Sequence, residues 1–233
     1  LQGLGAIRTF PAHADIVRPG QAADHAVLVL AGLVAQFSQN RRGERQVTAL
    51  YVPGDLAGAC LGCAPAQGSA MVTLGESTLL MVPAAALHDL VPARPAIARV
   101  LWSELLGESR IMAQWLVNIG TRDAMTRVAH LLCELAWRHG EAPRDGRVAY
   151  QLAMTQRDLA ETTGLTSVHV NRTLKRLEAW GLSFRHKTVR IDDWSALARR
   201  ADFDPGYLQA RPVDRRPWRP DRASLRKGPP TAA

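Results

Sequence analysis

The segment Thr155 to Leu182, TQRDLAETTGLTSVHVNRTLKRLEAWGL, constrains this chain more than any other. It reads as two short helices around a tight turn, with the second carrying its basic residues outward. That is the layout of a helix-turn-helix DNA reader. Thr155 caps the first helix and Asp158 stands three residues on, the spacing at which each side chain accepts the other's backbone N–H. Gly164 falls where the chain must turn, and without a Cβ it tolerates a left-handed backbone. Thr166 caps the second helix. Val170, Leu174 and Leu177 follow i, i+4, i+7 spacing and form one buried stripe. At about 100° per residue, Val168, Arg172 and Lys175 fall on the opposite face.

That opposite face is the one to enter a DNA groove. Arg172 has the reach for two hydrogen bonds to a guanine edge, and Val168 for a thymine methyl. Ser167 stands in the first turn, where recognition helices meet base edges. His169, Asn171, Lys175 and Arg176 flank the face and suit phosphates. Thr155, Gln156 and Thr166, at the two helix starts, complete the candidate DNA-contact set together with Lys187. The plainer alternative is an amphipathic hairpin whose basic face is merely solvated.

Leu182 to Ile191, LSFRHKTVRI, alternates enough for two short strands turning at His186-Lys187, and Val148 to Leu152 supplies a third strand upstream. A hairpin directly after a recognition helix is a wing, whose Arg185, Lys187 and Arg190 face backbone phosphates. Charge separates the same part of the chain from the rest. The formal net charge is +8, yet residues 1–120 carry 8 basic and 8 acidic side chains. Residues 121–200 carry 14 basic against 9 acidic, and residues 201–233 carry 7 against 4. The neutral half has no reason to seek a polyanion, and the basic half does. No apolar run approaches the ~20 residues that span a bilayer, and no signal peptide is visible. Three cysteines do not make a secreted disulfide framework. The expectation is a cytoplasmic protein that does not engage a membrane.

Upstream, residues 10–91 read as all-β, with short apolar runs between glycine and proline punctuation. Val27–Leu30, Leu33–Phe37, Gln46–Tyr51, Val72–Leu74 and Thr78–Val82 are the strand candidates. Pro19-Gly20 and Pro53-Gly54 mark turns, because proline presets φ for the second turn position and glycine accepts positive φ at the third. Between the halves, Ala96 to Ile119 reads as one long helix. Ala98, Leu101, Leu105, Glu108, Met112, Trp115 and Ile119 recur at alternating threes and fours, a heptad seam with Glu108 as its polar break. The seam suggests a dimer helix, or else a helix packed on its own domain. Arg211 to Ala233 holds five prolines, six arginines and one lysine, with too little apolar surface to fold. The expected division is therefore 1–91 for an effector-type domain, 92–120 for the dimerisation helix, 121–198 for the DNA unit and 199–233 for a basic, disordered tail.

A resemblance follows from Ala14-Asp15-Ile16-Val17-Arg18-Pro19-Gly20, Leu28-Val29-Leu30-Ala31-Gly32 and Pro53-Gly54-Asp55-Leu56-Ala57-Gly58. Arg127-Val128-Ala129, Leu131-Leu132, Thr155 to Ala160, Val168 to Leu174 and Leu177-Glu178 continue it. On these residues the chain resembles the Crp/Fnr superfamily of bacterial transcription regulators over nearly its whole length. The resemblance implies an α+β architecture: an N-terminal β-roll of jelly-roll type, a long dimerisation helix and a C-terminal winged helix-turn-helix. It implies a homodimer that binds palindromic double-stranded DNA and works with RNA polymerase. The family's base-contacting positions fall on Ser167, Val168 and Arg172. Only Arg172 keeps the common residue type, and a glutamate is frequent where Val168 stands, so the operator is expected to differ.

The resemblance weakens at the effector site. Members that bind cyclic AMP carry a glycine–glutamate pair after the P-G-D turn and an arginine before a serine–alanine pair. Here the corresponding residues are Gly58-Ala59 and Gly68-Ser69-Ala70. Ala59 replaces the carboxylate and Gly68 the cation, and an anion buried without its cation is costly. Gly58, Ala59, Ser69 and Ala70 remain the effector-pocket candidates, but cyclic nucleotides are expected to bind poorly or not at all. The counter-reading is that Ser69 and backbone N–H groups suffice. The sequence identifies no effector.

Cys60-Leu61-Gly62-Cys63 has C-x-x-C spacing and is a candidate redox pair, or two small residues in a loop. A four-thiolate cluster cannot be built from Cys60, Cys63 and Cys133 alone. No H-x₃₋₅-H spacing suggests zinc. There is no G-x-S-x-G, P-loop or H-E-x-x-H, so no catalytic residue, metal or cofactor is expected. Two other classes stay open: a ligand- or redox-sensing module whose basic helices bind a protein partner, and a thiol redox protein.

Overall fold

The computed structural model describes residues 3–62, 70–141, 143 and 145–208. The chain opens with β1 (Ala6–Phe10), β2 (Asp15–Val17), β3 (His25–Ala31), β4 (Val34–Gln39), β5 (Arg45–Tyr51), β6 (Leu56–Ala57), β7 (Ala70–Thr73) and β8 (Ser77–Pro83). These make two four-stranded antiparallel sheets, β1-β8-β3-β6 and β2-β7-β4-β5. Val27, Val29 and Leu79 of the first sheet meet Val17, Val34, Ala49, Tyr51 and Met71 of the second, which closes the interior of a roll. Both P-G turns form as their residues require. Gln21 N–H donates to the Arg18 carbonyl with Gly20 at φ +79°, and Asp55 N–H donates to the Val52 carbonyl with Gly54 at φ +93°. The five strands expected from the sequence correspond to β3, β4, β5, β7 and β8. β1, exposed along most of its length at a sheet edge, has no apolar alternation to betray it.

Helices α1 (Ala84–Ala93) and α2 (Pro95–Thr121) follow, with Pro95 in the first turn of α2, where its missing N–H costs nothing. Then come α3 (Ala124–Arg138), β9 (Val148–Gln151), α4 (Gln156–Thr163), α5 (Ser167–Leu177), β10 (Leu182–Arg185), β11 (Thr188–Ile191) and α6 (Trp194–Arg200). The last strands form a three-stranded sheet, β10-β11-β9, beside the helices.

Helix α2 corrects the expected seam. Leu101 and Trp115 are only 2% and 5% exposed, packed within the chain itself, and Glu108 accepts a hydrogen bond from the Tyr51 hydroxyl of β5. Trp115 donates its indole N–H to Glu134 of α3 at 2.9 Å. The outward apolar residues include Trp102, Leu106 and Leu116, at 66%, 59% and 70% exposure, with Val100, Val117 and the seam's own Met112 also exposed. The spacing of Trp102, Leu106 and Leu116 is one residue out of phase with the seam read from the sequence. One residue turns a helix by about 100°, so Leu101 and Trp115 of the expected seam face the protein's own core, Met112 stays exposed, and a second stripe faces outward. A helix apolar on two faces offers two heptads, and spacing alone does not say which is inward.

The sheet β2-β7-β4-β5 is also buried on both faces. Its outer side, Leu33, Ala35, Phe37, Val47, Leu50, Val52, Val72 and Leu74, belongs to one continuous apolar cluster. That cluster runs through Ile111 and Trp115 of α2 into Val128, Leu131, Leu132 and Leu135 of α3 and the core under α5. The helical half thus has no core separate from the roll. The unpacked tail does not begin at 199 as expected. Arg199 and Arg200 complete α6, Ala201 and Phe203 are buried, and Tyr207 bonds to Glu134. The residues from Arg211 to Ala233 lie outside those described.

Candidate nucleic-acid interface

The helix-turn-helix is built by its own side chains. Thr155 Oγ1 accepts from Asp158 N–H at 3.1 Å while Asp158 accepts from Thr155 N–H at 2.7 Å, the reciprocal box. Helix α4 ends at Gly164, whose φ of +65° is a left-handed cap that a Cβ would strain. Thr166 then caps α5 by accepting from His169 N–H at 3.2 Å. Helix α5 buries Val170, Thr173, Leu174 and Leu177 against α3 and α4. Each cap of this kind is worth about 1 kcal/mol.

Opposite that stripe, Ser167, Val168, His169, Arg172, Lys175 and Arg176 are all exposed. Val168 stands 72% exposed at the start of this face. Asn171, half-buried, donates its amide to Gln156 at 3.1 Å and ties the start of α4 to the middle of α5. Thr155 and Gln156 therefore sit beside the recognition face. The wing forms as expected. His186 and Lys187 both take positive φ, +49° and +59°, which gives the right-twisted turn a two-residue hairpin needs. Lys187 is exposed at the tip. Arg185 is held by Glu178 at 2.6 Å, so only part of the expected wing charge points outward without an acidic neighbour of that kind.

Residues that the sequence reading missed hold this unit to α2. Arg127 donates to the carbonyls of Ile119 and Arg122 at the end of α2, at 2.7 and 3.0 Å, and to that of Thr163 at the end of α4, at 3.0 Å. Arg122 pairs with Asp202 at 2.7 Å. Asp123 caps α3, and the Thr126 N–H it accepts holds its carboxyl below the ordinary carboxylate range. Arginines capping helix carbonyls leave no periodic signal in a sequence.

Of the effector candidates, Gly58, Ala59 and Ala70 are among the described residues. Ala59 is buried among Leu56, Leu87 and Leu101, so an apolar contact occupies the position where a carboxylate would be needed. Gly58 has φ +74° and leads into the short 3₁₀ turn Ala59–Gly62. Ala70 joins the cluster on the outer face of its sheet, away from the roll interior, because its neighbour Met71 takes the inner face. Its side chain is therefore not a pocket residue. Gly68 and Ser69 lie outside the described residues, as does Cys63, the expected partner of the half-buried Cys60. Cys133 is buried in α3, and burial pushes its thiol up to about 12, which removes it as a thiolate at neutral pH. Among the described residues no group of three or more His, Cys, Asp or Glu side chains is placed to hold a metal, and no helix is long and apolar enough to cross a membrane.

Comparison with known proteins agrees with this geometry. Residues 7–93 match the cyclic nucleotide-binding domain and residues 126–200 the Crp-like helix-turn-helix domain. The nitrogen fixation regulation protein FixK of Azorhizobium caulinodans is 30% identical over 198 residues, covering 84% of this chain and 79% of that one. The fumarate and nitrate reduction regulatory protein of Escherichia coli K12 is 25% identical over 177 residues, covering 74% and 69%. Among solved structures, FixK2 from Bradyrhizobium japonicum superposes with a TM-score of 0.74 at 25% identity, over 84% of this chain and 96% of that one. With a roll, a long helix and a winged helix-turn-helix in this order, and with these relatives, the chain belongs to the Crp/Fnr superfamily of transcription regulators.

Proposed function

We propose that the chain acts as a homodimer on two-fold symmetric sites in double-stranded DNA, reads them with α5, and does so without cyclic AMP. The observation that carries the reading is the exposed face of α5, where Ser167, Val168 and Arg172 stand together with Lys175 and Arg176 alongside. Arg172 pairs with a guanine, Val168 with a thymine methyl, and Thr155, Gln156, Thr166, His169, Asn171 and Lys187 position the unit on phosphates. The outward stripe of α2, Trp102, Leu106 and Leu116, supports a second copy as its cover. Two recognition helices would then lie about 34 Å apart, one turn of DNA. Ala59 supports independence from cyclic AMP, since the apolar contact it makes leaves nothing to hold a ribose.

We divide the chain by role into the roll (1–91), the dimer helix (92–120) and the DNA unit that follows, with the basic segment 211–233 adding nonspecific attraction to DNA. RNA polymerase is the further partner and the cytoplasm the site of action. The relatives are named for nitrogen fixation and for fumarate and nitrate reduction, and genes of those kinds are where operators are first to be sought. The test is selection from a random DNA library, with and without cyclic AMP. A palindromic motif enriched equally in both supports the reading. A motif that appears only with cyclic AMP, or one that lacks two-fold symmetry, contradicts it.

A further inference from the structure

A chain of buried charges crosses from the roll into the DNA unit. Asp55, the last residue of the P-G-D turn, is fully buried and accepts from Val52 N–H at 3.0 Å and from Arg138 Nη2 at 2.8 Å. The same Nη2 donates to the Leu50 carbonyl at the end of β5. Through Nη1, at 3.0 Å, Arg138 reaches Glu134 one turn back on α3. Glu134 in turn accepts from Trp115 of α2 at 2.9 Å and from Tyr207, beyond α6, at 2.8 Å. One arginine and two carboxylates, all buried, thus join the roll, the dimer helix, α3 and the C-terminal segment.

Such a triad is a poor way to add stability, because desolvation cancels much of the attraction and apolar replacements of equal volume do as well or better. What it adds is direction. Apolar burial is non-directional, whereas charge-assisted hydrogen bonds hold only over a narrow range of distance and angle. None of these residues is on the exposed face of α5. Their effect on DNA is through where the unit sits. Asp55 also stands three residues before Gly58, so the turn that begins the effector loop is tied directly to the unit that carries α5.

We propose that Arg138, with Asp55 and Glu134, is a positioning residue that fixes the DNA unit on the roll and so sets the spacing of the two half-sites. This rests on the two-fold DNA reading above. The test uses the full chain and the triple variant Asp55→Asn, Glu134→Gln, Arg138→Met, which removes the three charges together. The introduced amide oxygens keep acceptors for Val52, Trp115 and Tyr207. Thermal melting establishes that it folds. Two readouts follow. Affinities for the selected half-site, duplicated with spacers altered by a base pair or two, give the spacing discrimination. Hydrogen exchange in β5 and α4, joined where Gln46 donates to the Thr162 carbonyl, reports the seam without DNA.

The proposal expects the half-site sequence to be unchanged, the discrimination between spacings to fall about tenfold, and exchange at the seam to quicken while α5 stays protected. A folded triple variant with wild-type spacing discrimination overturns it, whatever the seam does. Should the triple variant not fold, Asp55→Asn alone is judged by the same two results. Should the wild-type chain enrich no two-fold motif, the DNA reading fails, and the exchange measurement alone decides the strut, with an unchanged seam counting against it.

Discussion

The recognition unit and the seam beneath it are made in opposite ways. In α4 and α5 each decisive bond spans three or four residues: Thr155 with Asp158, Thr166 with His169, Gly164 with Ala160. Across the seam, bonds that tie α3 to distant parts of the chain span 73 to 88 residues, from Glu134 to Tyr207, from Arg138 to Asp55 and from Arg138 to Leu50. The first kind makes a reader that holds its own shape. The second, in the proposal above, decides where that reader sits. On that proposal, specificity for bases and specificity for spacing are stored in different residues, and a substitution should move one without the other.

The largest effect belongs to the seam. Arg138→Ala leaves Asp55 and Glu134 buried together without their cation, and chemical denaturation should show a loss of about 3–5 kcal/mol. A loss below about 1 kcal/mol would mean water already reaches them, and the contrast between the two regions would collapse. Arg172→Ala should leave folding stability almost untouched and cost about 1–3 kcal/mol of DNA affinity, with relaxed preference at one base pair per half-site. Lys175→Ala should instead weaken all sequences alike and reduce the salt slope by about one. If both variants behave alike, α5 is not a base reader. Thr155→Ala removes one half of a box and should cost about 1 kcal/mol in stability, measured by the same denaturation.

The smallest expected effect is a pH slope. His130 is buried in α3, with Nδ1 at 3.1 Å from the carbonyls of Ala201 and Asp202 and Nε2 beside Tyr207. Burial, with Arg122 nearby, lowers its pKa from the ordinary 6.5, against the opposing pull of Glu134. The unfolded chain therefore binds the proton more readily than the folded one. Its contribution is present above pH 6.5 and is lost as pH falls through the lowered value. Melting temperature should drop from pH 7 towards 5, less steeply in His130→Gln. An unchanged slope would place the sensitivity elsewhere.

How much of this the sequence makes legible follows the separation of bonded residues along the chain. The caps, the glycine turn, the wing turn at His186-Lys187 and both P-G turns were written in neighbouring residues. The heptad spacing on α2 does not distinguish its two apolar faces, and only the fold says that Trp115 goes inward to Glu134 while Leu116 goes out. Arg127, Arg122 and Arg138 looked like ordinary positive charge. In the structure they cap carbonyls, pair with Asp202, and join Asp55 to Glu134. The substitution at Ala59 was legible as a missing carboxylate. That Ala70 faces away from the roll interior was not, since strand register decides it.

The measurement that tests the account most directly is a hydroxyl-radical footprint of the full chain on its selected operator, with the stoichiometry of the complex taken alongside. Two chains per duplex, protecting two symmetric patches about 34 Å apart on one face of the DNA, is the result expected. One chain on one patch, or uniform protection without symmetry, would contradict a paired reader held at fixed spacing.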